Sequence, residues 1–202
     1  MTKKYTWSVT KKQDGVVRAA LELLDERGAE GVSVRGVADR LGVRMNTVLW
    51  HAKSKARLLE LMADAIVSEV SPEGLPEDWR ERAHELARRY RRALLSHRDG
   101  AVIVAGTHVA EPGTLRFADR MVEALLAGGF GDREAAWTCW SIVYFVLGLA
   151  QEEQTADRAD GEALAAALAP GGYPALSRVG AHLADASFDE RFEHGIALMT
   201  RR

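Results

Sequence analysis

Residues 31–57 read GVSVRGVADRLGVRMNTVLWHAKSKAR. The stretch divides into a short amphipathic helix over Val34 to Leu41, a turn at Gly42, a second short helix over about 44–51, and the basic start of a further helix. Ser33 is a good N-cap for the first, since its oxygen can accept from an amide left unpaired at a helix start. Gly42 suits a turn that needs a left-handed backbone. Two short helices joined in this way form the layout in which the second lies in the major groove of DNA. The stretch therefore implies a DNA-binding regulator.

Two helices crossing at a sharp turn need small or apolar residues at their contact. Ala38 is small enough for close approach, and Val37, Leu41, Val43 and Val48 are expected to fill the space behind it. Arg44, Met45, Asn46, Thr47, Leu49, Trp50 and His51 are then left on the outward face. That mixture suits base reading. Arginine pairs bidentately with guanine and asparagine with adenine; threonine can donate to a base or phosphate, and Met45 or Leu49 can touch a thymine methyl. Lys53, Lys55 and Arg57 follow, where charge and helix-start amides suit phosphate. Ser33 and Arg35 offer a second phosphate clamp at the start of the preceding helix.

The charge distribution agrees. The chain has 202 residues and a net charge of −2, which alone argues against a nucleic-acid binder. Residues 1–57, however, hold 12 lysines and arginines against 6 acidic residues, while 58–202 hold 15 against 23. A basic head on an acidic body suits a protein that meets DNA by one end. No apolar run is long enough to span a bilayer, and the lysine-rich start has no apolar segment behind it. A single cysteine, Cys139, excludes an internal disulfide, and a cytoplasmic protein without membrane contact is expected.

The rest of the chain reads as all-α, with no period-two alternation. Residues 1–12 look like a flexible basic arm. A first helix over 14–27 presents Val16, Val17, Ala20, Leu21, Leu23 and Leu24, and Gly28 stops it. Ser54 caps a fourth helix containing Leu58, Leu59, Leu61, Met62, Ala65 and Ile66. Residues 71–76 break the pattern with two prolines. Beyond them come a helix with Trp79, Ala83, Leu86, Tyr90 and Leu94 on one stripe, a short apolar piece over 101–106, and a helix over 115–127. The longest helix runs over 133–154, an alanine-rich stretch over 155–173 mixes loop with fraying helix, and a last helix carries Phe188, Phe192, Ile196 and Met199. The expected division is a helix-turn-helix head over 1–57 and a helical regulatory, ligand-binding and dimerisation body over 58–202.

The segments AALELLDERG, SVRGVADRLGV and TVLWHAKSKARLL resemble the tetracycline-repressor (TetR) family of bacterial transcriptional regulators. RRALLSHRDGAVIVAGTH and YFVLGLAQEEQ resemble the regulatory core of its tetracycline-sensing branch, more loosely. The resemblance implies a homodimer, helix-turn-helix heads, and a body that binds a small molecule. It also implies that the longest and last helices of each subunit form a four-helix bundle. Tetracycline sensors are similar to this chain at Thr107 and Glu152, yet hold the drug-bound magnesium with a histidine where this chain has Val104, which cannot ligate a metal. Their drug-contacting histidine near the end of the fourth helix corresponds to Ser71. The expected effector is therefore bulky, partly aromatic and free of chelated metal, rather than magnesium-tetracycline.

Candidate effector contacts are Phe117 and Met121 on one helix, Trp137, Trp140 and Tyr144 on the longest, and the polar Thr107, His108, Gln151 and Glu152. Apolar walls with sparse polar groups describe a small-molecule pocket, and an ordinary helical core equally well. His84, His97, His108, His182 and His194 form no i,i+4 pair and have no cysteine neighbours, so no metal site and no cofactor are expected. Cys139 reads as a buried, inert thiol. With no nucleophile elbow, phosphate loop or catalytic dyad, an enzyme is not expected. The leading reading is a homodimeric repressor released from a palindromic operator by its ligand. A ligand-independent architectural DNA binder is the alternative, and a helical enzyme a more remote one.

Overall fold

A computed structural model describes residues 3–107, 110–156, 158–168, 172–184 and 187–201. Among these are eleven helices and no strand. The order is α1 (Lys3–Gly31), α2 (Val34–Leu41), α3 (Met45–Ala52), α4 (Lys55–Ser68), α5 (Trp79–Leu95), α6 (Gly100–Ala105), α7 (Pro112–Ala127), α8 (Asp132–Thr155), α9 (Arg158–Leu168), α10 (Pro174–Ala184) and α11 (Phe188–Met199). No helix among the described residues is long and apolar enough to cross a membrane.

Helix α1 includes residues 3–12, where the sequence suggested a flexible arm. No proline or glycine precedes Gly15, so nothing in that stretch stops the helix running back toward the start. At its other end Gly28 takes φ 73°, a left-handed value that breaks the regular helix as expected. Between them Val16, Val17, Ala19, Ala20, Leu23 and Leu24 are buried, and α2 and α3 pack across this face.

Helix α4 contacts α1 and α3 as well as α5, α6 and α7. The division expected at 57/58 falls inside it. It buries Leu58, Met62, Ala63, Ile66 and Val67, all nearly inaccessible to water. The body continues as α5, α7 and α8 packed on one another, with α6 wedged among α4, α5 and α8. Tyr90 of α5 stacks on Phe117 of α7 with ring centroids 4.6 Å apart. Cys139 lies buried in α8, and desolvation pushes its thiol pKa up to about 11, as suits an inert core residue.

Arginines on the outer side of α5 fasten the later helices. Arg91 donates to both oxygens of Glu153 on α8, at 2.8 and 2.7 Å, and to Asp189 on α11 at 2.6 Å. Arg88 grips Glu193 of α11 through two bonds, the fork geometry that makes arginine–carboxylate pairs specific. The stretch over 155–173, read as mixed loop and helix, holds α9, which packs on α10 with Leu168 buried. Alanines and glycine pairs gave α9 little periodic signal.

Gln154 near the end of α8 closes the corner between α5 and α6. Its amide donates to the Leu94 and His97 carbonyls at 3.2 and 2.7 Å, and its oxygen accepts from Ala101 N at 3.3 Å. Leu94 and Ala101 lie at helix ends, where these groups have no intrahelical partner, while the His97 carbonyl in the turn also accepts from Gly100 N at 3.0 Å. Gln154→Ala is expected to destabilise the protein by about 1–3 kcal/mol, the cost of orphaned, partly buried polar groups. Urea unfolding followed by far-UV circular dichroism measures it.

Candidate DNA-binding site and regulatory body

The head presents α3 because α3 is anchored by very little. Val48 and Ala52 are its buried residues, both fully enclosed, and they meet Val37 and Ala38 of α2. Ser33 caps α2 as expected, accepting from Gly36 N at 3.0 Å. Gly42 takes φ 64° in the turn, and the Val43 amide donates back to the Ala38 carbonyl at 3.0 Å. Arg40 ties α2 to α1 through Glu22 and Glu26. Leu41 and Val43, expected in the core, are exposed at the rim of the turn. The eight-residue helices already fill their crossing with Val37, Ala38, Val48 and Ala52, so no room remains for two further side chains.

The outward face is as the sequence suggested. Arg44, Met45, Asn46, Thr47 and Trp50 are exposed, Trp50 to 70%, while Leu49 and His51 are half-buried at the edge. Lys53 follows with φ 62°, uncommon for a residue with a side chain. Its amide donates to the Leu49 carbonyl at 2.8 Å, and its ammonium sits 5.1 Å from the centre of the Trp50 ring. That turn separates α3 from α4 and gathers Trp50, Lys53 and Lys55 along one edge. Ser54 caps α4 by accepting from Arg57 N at 3.0 Å. Lys53 and Lys55 are exposed, as are Ser33 and Arg35, whose guanidinium is 4.0 Å from Asp39. The Ser33 hydroxyl, though occupied as an acceptor, still has a proton to donate to a phosphate.

Arg57 departs from expectation. It is not a free phosphate anchor, because its guanidinium donates to Glu60 at 2.9 Å and to Glu111 at 2.6 Å. Both carboxylates hold it charged and raise its pKa, Glu111 most strongly. Glu111 immediately precedes α7, so the pair joins the start of α4 to the body. About two turns further along α4, Asp64 accepts from the Thr114 amide at 2.7 Å and its hydroxyl at 3.0 Å. Partners 50 or more positions apart carry no local signal, and sequence reasoning missed both.

Of the nine candidate effector contacts, the eight that lie in the described residues do not line one shared pocket within the subunit. Phe117 and Met121 face the core beside Tyr90. Trp137, Trp140 and Tyr144 point the other way and are more than half exposed, because Ala135, Cys139, Ile142, Val146 and Ala150 form the inward stripe of α8. Their aromatic rings suggested a pocket wall, and they too recur at spacings of 3 and 4, so periodicity alone does not tell the inward stripe from the outward one. An open groove of about 550 Å³ along the first turns of α8 includes Trp137 and none of the other eight. Thr107 is half-buried and donates to the Val104 carbonyl at 3.0 Å. Gln151 lies part-buried near the Ala101 carbonyl, Glu152 is exposed, and His108 falls outside the described residues. Among the described residues no cluster of histidine, cysteine and acidic groups is arranged to hold a metal.

Comparison with known proteins agrees with this architecture at both ends. Residues 16–62 match the family described as bacterial regulatory proteins, tetR family, and residues 71–201 match the tetracyclin repressor-like C-terminal domain. The class A tetracycline repressor protein from transposon 1721 of Escherichia coli is 36% identical over 187 residues, covering 91% of this chain and 86% of that protein. A possible TetR family transcriptional regulator from Streptomyces coelicolor A3(2) superimposes with a TM-score of 0.82 at 36% identity, over 93% of this chain and 96% of that one. The Streptomyces coelicolor TetR family protein ActR, solved in complex with actinorhodin, gives a TM-score of 0.84 at 28% identity, over 93% and 92%. With the helix-turn-helix head and the helical body both matched, the chain belongs to the TetR family of bacterial regulatory proteins and is a DNA-binding transcriptional regulator.

Proposed function

We propose that the chain is a homodimeric repressor that leaves a palindromic operator when its body binds a small molecule, and that it acts in the cytoplasm, where that operator lies. The observation that carries this reading is the pair Val48 and Ala52: their burial fixes α3 and leaves Arg44, Met45, Asn46, Thr47 and Trp50 turned to solvent. In a dimer, two such helices entering successive major grooves must stand roughly 34–36 Å apart. A ligand that favours a different separation weakens operator binding by its differential affinity for the two forms. Selection from random oligonucleotides is expected to enrich an inverted repeat; a pool without one would overturn the proposal.

The outward aromatic face of α8 supports the dimer. Trp140 and Tyr144 stack with centroids 5.4 Å apart, Arg133 lies 4.0 Å above the Trp137 ring, and Leu198 is exposed on the neighbouring α11. Large apolar side chains grouped in this way mark an interaction surface, and a second copy covers them by symmetry. These three aromatics then serve the interface, which leaves Thr107, His108, Phe117, Met121, Gln151 and Glu152 as the candidates for the effector side of the body.

The effector is a bulky, partly aromatic molecule without a chelated metal. Val104 on α6 is buried and offers no donor atom to magnesium. The Tyr90–Phe117 stack gives the body an aromatic interior, and the similar ActR structure holds actinorhodin. Isothermal titration with magnesium-tetracycline is expected to show no tight binding, and a tight complex would reject the assignment.

The division of the DNA face into anchors and readers has its own test. Lys55→Ala is expected to weaken binding to operator and random DNA alike and to reduce the salt slope by about 1. Asn46→Ala is expected to cost about 1–3 kcal/mol on the operator and relax preference at a single position. Gel-shift titrations at several salt concentrations separate the two; identical behaviour would refute the division.

A further inference from the structure

The head touches the body at a second place, far from the Arg57–Glu111 pair. His97, Arg98 and Asp99 form the corner between α5 and α6, and all three reach the end of α1. Asp99 accepts from Ala29 N at 2.8 Å. The Arg98 amide donates to Asp25 Oδ1 at 3.1 Å, and its guanidinium to the Glu26 carbonyl at 3.3 Å. The fit is close: a Cβ on Gly28 would lie 2.6 Å from an Asp99 oxygen.

His97 sits at the centre, with 13% of its side chain exposed. Its Nδ1 lies 3.1 Å from both oxygens of Asp25 on α1. Its Nε2 lies 3.0 Å from Glu69 at the end of α4. Both ring nitrogens thus face carboxylates, and carboxylates can only accept. A protonated imidazole has two N–H groups and satisfies both. A neutral one has a single N–H, so one carboxylate meets a bare nitrogen lone pair and that bond becomes repulsive.

We propose that His97 is a proton-controlled clamp between the DNA-binding head and the body: protonated, it binds α1 and the end of α4 to the α5–α6 corner, and neutral, it releases one of them. The surroundings oppose a different assignment. On α1, the neighbouring Glu26 is engaged by Arg40. On the corner itself, the Arg98 guanidinium is turned to a carbonyl and Asp99 to an amide. From α5, Ser96 donates to the other oxygen of Glu69, and Arg92 pairs with Glu85. From α8, the neutral Gln154 holds the His97 carbonyl. No cation among the described residues faces the ring to replace its proton.

Burial alone would lower the imidazole pKa. The hydrogen bonds and charges of Glu69 and Asp25 outweigh it, so the pKa is raised above its ordinary 6.5. The sign follows from linkage: the clamp is fully closed below the ordinary histidine value and is lost as pH rises through the raised one. The switch therefore lies above the ordinary histidine value. The corner leads directly into α6, which adjoins Thr107, so the clamp governs how far movement in the body reaches α1.

Amide hydrogen exchange of the full chain tests this without DNA or effector, so its failure would leave the repressor proposal untouched. Wild type and His97→Gln, which mimics the neutral ring, are compared at the same pH so that intrinsic rates cancel. His51 and His84 are retained in both. At about pH 5.5, well below the histidine range, residues 25–31 are expected to exchange several-fold more slowly in wild type. At about pH 8.5 the two proteins are expected to match. A difference that persists unchanged at the higher pH, or none at either, would overturn the proposal. Asp25→Asn removes one charge and keeps the shape. It is expected to lower the pH at which wild-type protection is lost, and an unmoved midpoint would count equally against the clamp.

Discussion

Five side chains of α4 are sealed from water in contacts with elements on both sides of the molecule. Leu58, Met62, Ala63, Ile66 and Val67 bury one continuous face over 14 residues, and the helix meets α1 and α3 of the head as well as α5, α6 and α7 of the body. At about 1.5–3 kcal/mol for each large side chain buried, that face outweighs any single polar contact in the chain. The head therefore cannot part from the body without exposing that face. Polar ties lie at the margins of that face: Arg57 to Glu111, Asp64 to Thr114, and the His97 corner to α1. An apolar axle with polar ties at its margins is a joint that moves as a rigid unit and whose position small charge changes can set.

How much of this was legible depended on distance along the chain. The head was nearly all local. Ser33 and Ser54 are caps, Gly28 and Gly42 take left-handed backbone, and the spacing of Val37, Ala38, Val48 and Ala52 is the crossing itself. Leu41 and Val43 were misplaced because hydrophobicity says that a residue can be buried and not that space exists for it. In α8 the reverse held. Two apolar sets share the helix, and composition drew attention to Trp137, Trp140 and Tyr144, whereas the inward stripe is built of smaller side chains such as Ala135, Cys139 and Ala150. The polar ties were invisible. Arg57 reads as one more positive charge after Lys53 and Lys55 until the fold brings Glu111 to it from 54 positions away.

Arg57 and His97 also differ in a way that matters for regulation. Arginine stays charged at every pH at which a protein works, and Glu60 and Glu111 raise its pKa further, so that tie is fixed by geometry alone and responds only to displacement of the segment before α7. Histidine changes charge near neutrality, so its tie responds to the medium with no displacement at all. The first lies at the start of α7, the second beside Gln154 and the start of α6. On the regulatory reading proposed above, displacement of the segment before α7 acts on the arginine tie, and protonation acts on the histidine tie. Under the same proposal the histidine tie decides whether α1 stays with the corner or with α4. Two unlike joints around one apolar axis make the position of α3 a function of two variables, where either tie alone would permit one.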